Sequence, residues 1–310
     1  MHVVRVCCFF VLSLMIFEPC LAADNFYNKI GLEAGYMWGD TTYEINFPGG
    51  KSELKWPIDI YMAGIRYYLD YKDRFGIELA YFKGPERNNI EYMEDSDWME
   101  EPIHPGVDIY SESKVDNKGD IFCLGAWVSP LSFESSSIGI RWGYRNQGFE
   151  YDAYDTIQVG YGPWEERYSG VTPGLVCKYK VDYSIWYLGV SGKITLRDML
   201  TFDGDIIYLG HVRAEDEDYH LLRYKKSEGD CNGNGVLLSV DMSLILRKGW
   251  SIFFYSELTR IRTDGDQTQS WYGNDPASQG YDDTGAVFYG IDNKIDLDSK
   301  YLGIGIQYKF

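Results

Sequence analysis

Apolar residues recur at every second position in segment after segment of this chain. Ile30, Leu32, Ala34, Tyr36 and Trp38 share one face with Glu33 opposite, and Tyr61, Ala63, Ile65, Tyr67 and Leu69 share another with Arg66 opposite. Phe75, Ile77, Leu79 and Tyr81 enclose Glu78, while Ile138, Ile140, Trp142 and Tyr144 leave Arg141 and Arg145 on the other side. Later, Phe202, Ile206, Tyr208 and Val212 oppose Asp203 and Asp205, and Val236, Leu238, Val240, Met242 and Leu244 oppose Asp241. A period of two is the signature of β-strands with one apolar face. Helix-like apolar spacing is hard to find anywhere.

Turn signals between these segments are of two kinds. Short ones sit near Tyr71–Asp73, Ser129–Leu131, Ser191–Lys193 and Arg247–Gly249. Longer ones cover 47–53, 94–108, 152–173, 214–222 and 264–285. Short and long alternate, which predicts an all-β fold: a ten-stranded antiparallel up-and-down transmembrane β-barrel with short turns at one end and long loops at the other. Many strands look longer than the ~9–11 residues a bilayer requires, so the barrel is expected to extend outward beyond the membrane. Charges of both signs on the inward face need partners there, which predicts a packed polar network rather than an open pore.

Composition fits. No later stretch is long and apolar enough for a transmembrane helix, and the mean hydropathy is negative. Tyrosine (27) and tryptophan (9) are abundant, as interfacial aromatic girdles require. The final strand, Lys300 to Phe310, sets Leu302, Ile304, Ile306, Tyr308 and Phe310 on one face, and its terminal Phe resembles the assembly signal of bacterial outer-membrane barrels. Residues 1–22 read as a secretory signal peptide, with an apolar run from Phe9 to Phe17 and small residues before a cleavage expected after Ala22. Residues 23–310 then form a single barrel domain. Export leaves Cys123, Cys177 and Cys231, an odd number without metal-type spacing, expected to be buried or lipid-facing thiols.

Two acidic stretches carry candidate chemistry. Asp218-x-His220 pairs an imidazole with a carboxylate able to fix its tautomer and raise its basicity, which is what a general base for water requires. Asp95-x-Asp97 offers two more carboxylates, and the alternation of turns puts both stretches at the same outer rim. There is no Gly-x-Ser-x-Gly elbow, and Pro102 precedes Ile103-His104-Pro105, which argues against a serine nucleophile. Asp95, Asp97, Asp218 and His220 could instead chelate a divalent cation, but one His among carboxylates matches no common zinc set. His104 and His211 read as structural. Four acids near one imidazole should raise its pKa.

Asp95-Ser96-Asp97-Trp98-Met99 and Asp216-x-Asp218-x-His220 resemble the paired motifs of the omptins, a family of outer-membrane endoproteases. The resemblance implies an endopeptidase in which His220 is the base, Asp218 its orienter, Asp95 a second holder of the attacking water and Asp97 a support for Asp95. It further implies cleavage beside Arg or Lys, recognised by two acids, for which Asp216 and Glu44 are the candidates. Simple alternation from Trp38 turns Glu44 outward unless a bulge intervenes. The formal net charge of −18, with acids crowding the loops, independently favours cationic peptide or protein substrates over anions such as nucleic acid. No cofactor is needed. Lipopolysaccharide, which the family binds through basic residues on the outer wall, is a possible activator, although Asp182 stands where the family tends to have Arg; Lys178 or Lys180 could substitute. The alternative to a protease is a non-enzymatic barrel, such as an adhesin with an acidic mouth.

Overall fold

The computed structural model describes residues 26–310 apart from 48, 73, 100–105 and 277–280, leaving aside the side chains of 87–90 and 167. The signal segment and His104 lie outside the described residues. Ten strands follow one another: β1 (Phe26–Phe47), β2 (Gly50–Tyr71), β3 (Phe75–Met99), β4 (Ile109–Ser132), β5 (Ser136–Gly160), β6 (Gly170–Leu196), β7 (Leu200–His220), β8 (Lys225–Ile245), β9 (Trp250–Trp271) and β10 (Val287–Lys309). Each pairs antiparallel with its sequence neighbour, and β1 pairs with β10 from Lys29↔Lys309 to Asn46↔Asp292, closing the barrel. Closure leaves no edge with unpaired backbone groups, which is the condition for placing strands in lipid.

The expected alternation is present in the lower half. Leu32, Leu188, Ile206, Val240 and Ile304 are exposed on the outer surface, whereas Glu33, Glu78 and Arg145 are buried within. The inner charges are matched. Arg66 lies 2.6 Å from Glu33 and 3.4 Å from Glu78, Arg141 reaches Glu78 (3.4 Å) and Asp205 (3.1 Å), and Arg145 reaches Glu257 (2.9 Å). Above this network an aromatic layer of Trp56, Tyr151 and Tyr179 fills the lumen, with Trp56 stacked on Tyr179 at 5.0 Å. The barrel is therefore plugged by its own side chains.

Strands run 21 to 27 residues, far more than a bilayer crossing requires. The sequence places several strand ends too early. Residues 94–99, 152–160, 214–220 and 264–271 continue β3, β5, β7 and β9, where loops were expected. Beyond the apolar belt the outer face of a strand is wet and carries polar residues, so the hydrophobic alternation fades while the hydrogen-bonded ladder continues. Two short turns also move. Ser129–Leu131 and Ser191–Lys193 lie within β4 and β6, and the chain reverses after each, at 133–135 and at 197–199, where Arg197 and Asp198 take positive φ.

Candidate active site

Two irregularities decide which side chains face the lumen above the polar plug. Between the pairs Ala63↔Lys83 and Lys55↔Glu94, β3 carries three residues more than β2. Between Leu209↔Gly235 and Val212↔Gly233, β7 carries one residue more than β8, and the same extra residue appears against β6 around Gly210. An odd insertion moves every later side chain to the opposite face. Below the break on β3, Glu78, Ala80 and Phe82 are buried; above it Met93 is buried and Asp95 and Asp97 line the lumen. On β7 the inward set changes from Ile207 and Leu209 to Val212, Ala214, Asp216 and Asp218. Val212 is thus completely buried, not on the lipid face where unbroken alternation puts it.

Strand β1 has no such break, and its consequence is a correction. Tyr43 and Ile45 are buried, while Glu44 between them points away from the lumen and pairs with Lys51 (2.6 Å) and Lys294 (2.9 Å). These two cations, working against partial burial, hold the Glu44 carboxyl at a pKa of about 2. Glu44 is not part of the site.

Asp95, Asp97 and His220 converge on one open cleft of about 1080 Å³, lined also by Tyr43, Ser52, Arg223, Lys225, Phe288 and Tyr289. His220 Nε2 lies 2.8 Å from Asp218 Oδ2, and Asp218 is wholly buried behind it. Cys177, cross-strand from His220, donates its S–H to Asp218 Oδ1 at 2.9 Å. Across the cleft, Ser52 Oγ donates to Asp95 Oδ1 at 3.4 Å. Asp216 is 4% exposed; it does not line the cleft, and no cation pairs with its carboxylate among the described residues. Its cross-strand neighbour is Gly229, where any Cβ would lie 2.4 Å from Asp216 Oδ1.

The electrostatics follow from this crowding. Burial raises the Asp95 carboxyl pKa well above its usual value, and Asp97 and Asp218 add to the rise. Burial likewise raises Asp97. Burial and then Asp218 push Asp216 up to about 7. Asp218 moves the other way: burial alone would raise it, but His220, the Cys177 S–H and Lys225 together hold it below the usual carboxylate value. His220 is lowered, not raised as the count of acids suggests. Its burial disfavours the imidazolium, and the cations Lys225 and Arg223 add to that effect against the pull of Asp218.

Cys177 and Lys225 are site residues that sequence reasoning passes over. Both are set by register, since Cys177 and Lys225 are the two cross-strand neighbours of His220. Reading residues 221–224 as a four-residue hairpin turn would have found Lys225. Cys177, Asp218 and His220 bring three potential metal-donor atoms within 4.8 Å of one another. Their donors are engaged with each other, and the Lys225 charge beside them opposes a cation. His211 is exposed beside the β7 bulge, away from the cleft. Asp182, Lys178 and Lys180 lie on the outer wall of β6, with Lys180 paired to Asp182 at 2.6 Å and Lys178 to Asp152 at 3.4 Å.

The omptin family model matches residues 30–310. The chain belongs to the omptin family. It is accordingly an outer-membrane protease of the Gram-negative type. Among solved structures, this omptin is similar to the outer membrane protease OmpT from Escherichia coli, with 15% identity, a TM-score of 0.75, and coverage of 95% of this chain and 99% of that one. It is also similar, at 11% identity, to the outer membrane protein OprG from Pseudomonas aeruginosa, over 92% of this chain and 96% of that one, with a TM-score of 0.38. No curated protein matches the chain.

Proposed function

We propose that this omptin is an endopeptidase that cuts polypeptides beside basic residues, at a site facing the outside of the cell, with a water molecule as the nucleophile. The observation that carries this reading is the His220–Asp218 contact of 2.8 Å on one wall of a cleft whose other wall presents Asp95 and Asp97. A water between Asp95 and His220 is oriented by the carboxylate and loses its proton to the imidazole as it attacks the peptide carbonyl. The lowered pKa of His220 keeps the ring neutral, and so able to accept that proton, at neutral pH. Asp218 holds the ring and stabilises the imidazolium once formed. The imidazolium then protonates the departing amine. Asp97, which shares the Ser52 hydroxyl with Asp95, helps position Asp95 through it.

The cleft, about 1080 Å³, is at the upper end of the roughly 300–1,000 Å³ of small-ligand pockets and is open along one side, as an extended peptide requires. Asp216, a buried carboxylate without a counter-ion among the described residues, supports recognition of a cationic side chain, whose arrival would remove the cost of ionising it. In this reading Asp216 acts without a second acid, because Glu44 is turned away and neutralised. The test is incubation of the refolded protein with a fluorogenic dibasic peptide and its uncharged counterpart, with cut positions read by mass spectrometry. Cleavage of the dibasic peptide next to Arg or Lys supports the proposal; absence of cleavage, or cleavage indifferent to the basic residue, refutes it.

A further inference from the structure

Water attack on a peptide carbonyl leaves a negative charge on the carbonyl oxygen, and the walls already described offer mainly carboxylates to meet it. Two cations line the cleft near His220. Arg223 is committed elsewhere: its guanidinium makes two 2.9 Å contacts to Asp275, which is itself buried. Lys225 is different. It is 6% exposed, faces the cleft as the first residue of β8, and has no hydrogen bond or ion pair among the described residues. Asp218 and Asp95 act on its charge, yet no carboxylate oxygen among the described residues is in ion-pair range of it, so the ammonium is left to meet an anionic oxygen arriving in the cleft. Its position is cross-strand to the base, and neighbouring strands lie about 5 Å apart. A carbonyl carbon attacked from the His220 side would therefore hold its oxygen within reach of a lysine side chain.

We propose that Lys225 is a catalytic residue, the group that receives the oxyanion of the tetrahedral intermediate; this rests on the water-attack reading given above. In the first step His220 takes one proton from water, the resulting oxygen bonds to the carbonyl carbon, and the carbonyl π pair moves onto oxygen beside the Lys225 ammonium. In the second, that pair re-forms the carbonyl, the C–N bond breaks, and the imidazolium delivers its proton to the nitrogen. Lys225 exchanges no proton in either step. Its charge is needed most when the oxygen carries a full negative charge, so its contribution falls on the transition state more than on the bound substrate.

The test compares Lys225→Met, Lys225→Gln and Lys225→Arg with the parent, all checked for the heat-dependent gel migration of a closed barrel. The readouts are kcat and KM on the dibasic peptide, and affinity for a peptide whose scissile bond is replaced by an anionic phosphinate. The neutral variants are expected to lose about 100-fold or more in kcat with little change in KM, and to lose phosphinate affinity while still binding an uncleavable amide analogue. Lys225→Arg should recover part of both losses. Equal weakening of the phosphinate and amide ligands would reduce Lys225 to a structural cation and overturn the assignment, as would unchanged kcat in either neutral variant. If the parent itself fails to cut the peptide, the proposed function falls instead, a result these comparisons keep separate.

Discussion

Cys177 donates its thiol hydrogen to Asp218 Oδ1 across 2.9 Å and leaves Oδ2 to His220. A weak donor thus fixes a buried carboxylate that in turn fixes the imidazole. Hydrogen bonds to charged groups contribute about 1.5–3 kcal/mol, and a thiol belongs at or below the bottom of that range. Cys177→Ala should lower kcat by up to about tenfold, and Cys177→Ser, which keeps a donor, should restore most of it. Equal losses in both variants, measured on correctly folded barrels, would show that packing rather than donation matters at this position.

His220 titrates below the ordinary histidine value of about 6.5 because burial and the neighbouring Lys225 and Arg223 both disfavour its charged form. Removing a cation must relax that shift. An NMR titration of the labelled imidazole should give a midpoint below that of a free histidine in the parent, a higher one in Lys225→Met, and a lower one in Asp218→Asn, which loses the charge that favours imidazolium. A parent midpoint above the free value would mean that the acids outweigh burial after all.

Selectivity should itself depend on pH. Asp216 ionises near pH 7, so below that value its pocket is neutral and has little to offer a guanidinium. The ratio of kcat/KM for an Arg substrate to that for a neutral one is expected to rise as pH passes upward through about 7. Asp216→Asn should flatten this rise and cost the Arg substrate about 2–4 kcal/mol, the scale for losing one partner of a buried charge pair. Glu44→Gln should leave the ratio unchanged, since Glu44 faces Lys51 and Lys294. If Asp216→Asn slowed Arg and neutral substrates alike, Asp216 would belong to the chemistry rather than to recognition.

The barrel was legible because lipid imposes a strict rule: outer positions such as Leu32, Ile206 and Ile304 must be apolar, and alternation follows. The rule lapses above the membrane. There the faces of β3 and β7 are set by odd insertions near residues 84–92 and at Gly210, and nothing in the local sequence counts residues on a neighbouring strand. Asp95, Asp97, Asp218 and His220 were found through the spacing of their own motifs, which register does not alter. Glu44 had only simple alternation behind it, and alternation in an unbroken β1 turns it outward. Cys177 and Lys225 become visible only when the β6–β7–β8 register is known, because their relation to His220 runs across the sheet rather than along the chain.

The central claim is that a water held between His220 and Asp95 is the nucleophile, and it is tested most directly by single-turnover cleavage of the dibasic peptide by His220→Ala and Asp95→Asn. Each holds one side of the water, so both variants should lose nearly all of the cleavage rate while the closed barrel and substrate binding persist, and Asp218→Asn should lose less because the base remains. Full cleavage by a correctly folded His220→Ala would contradict the account.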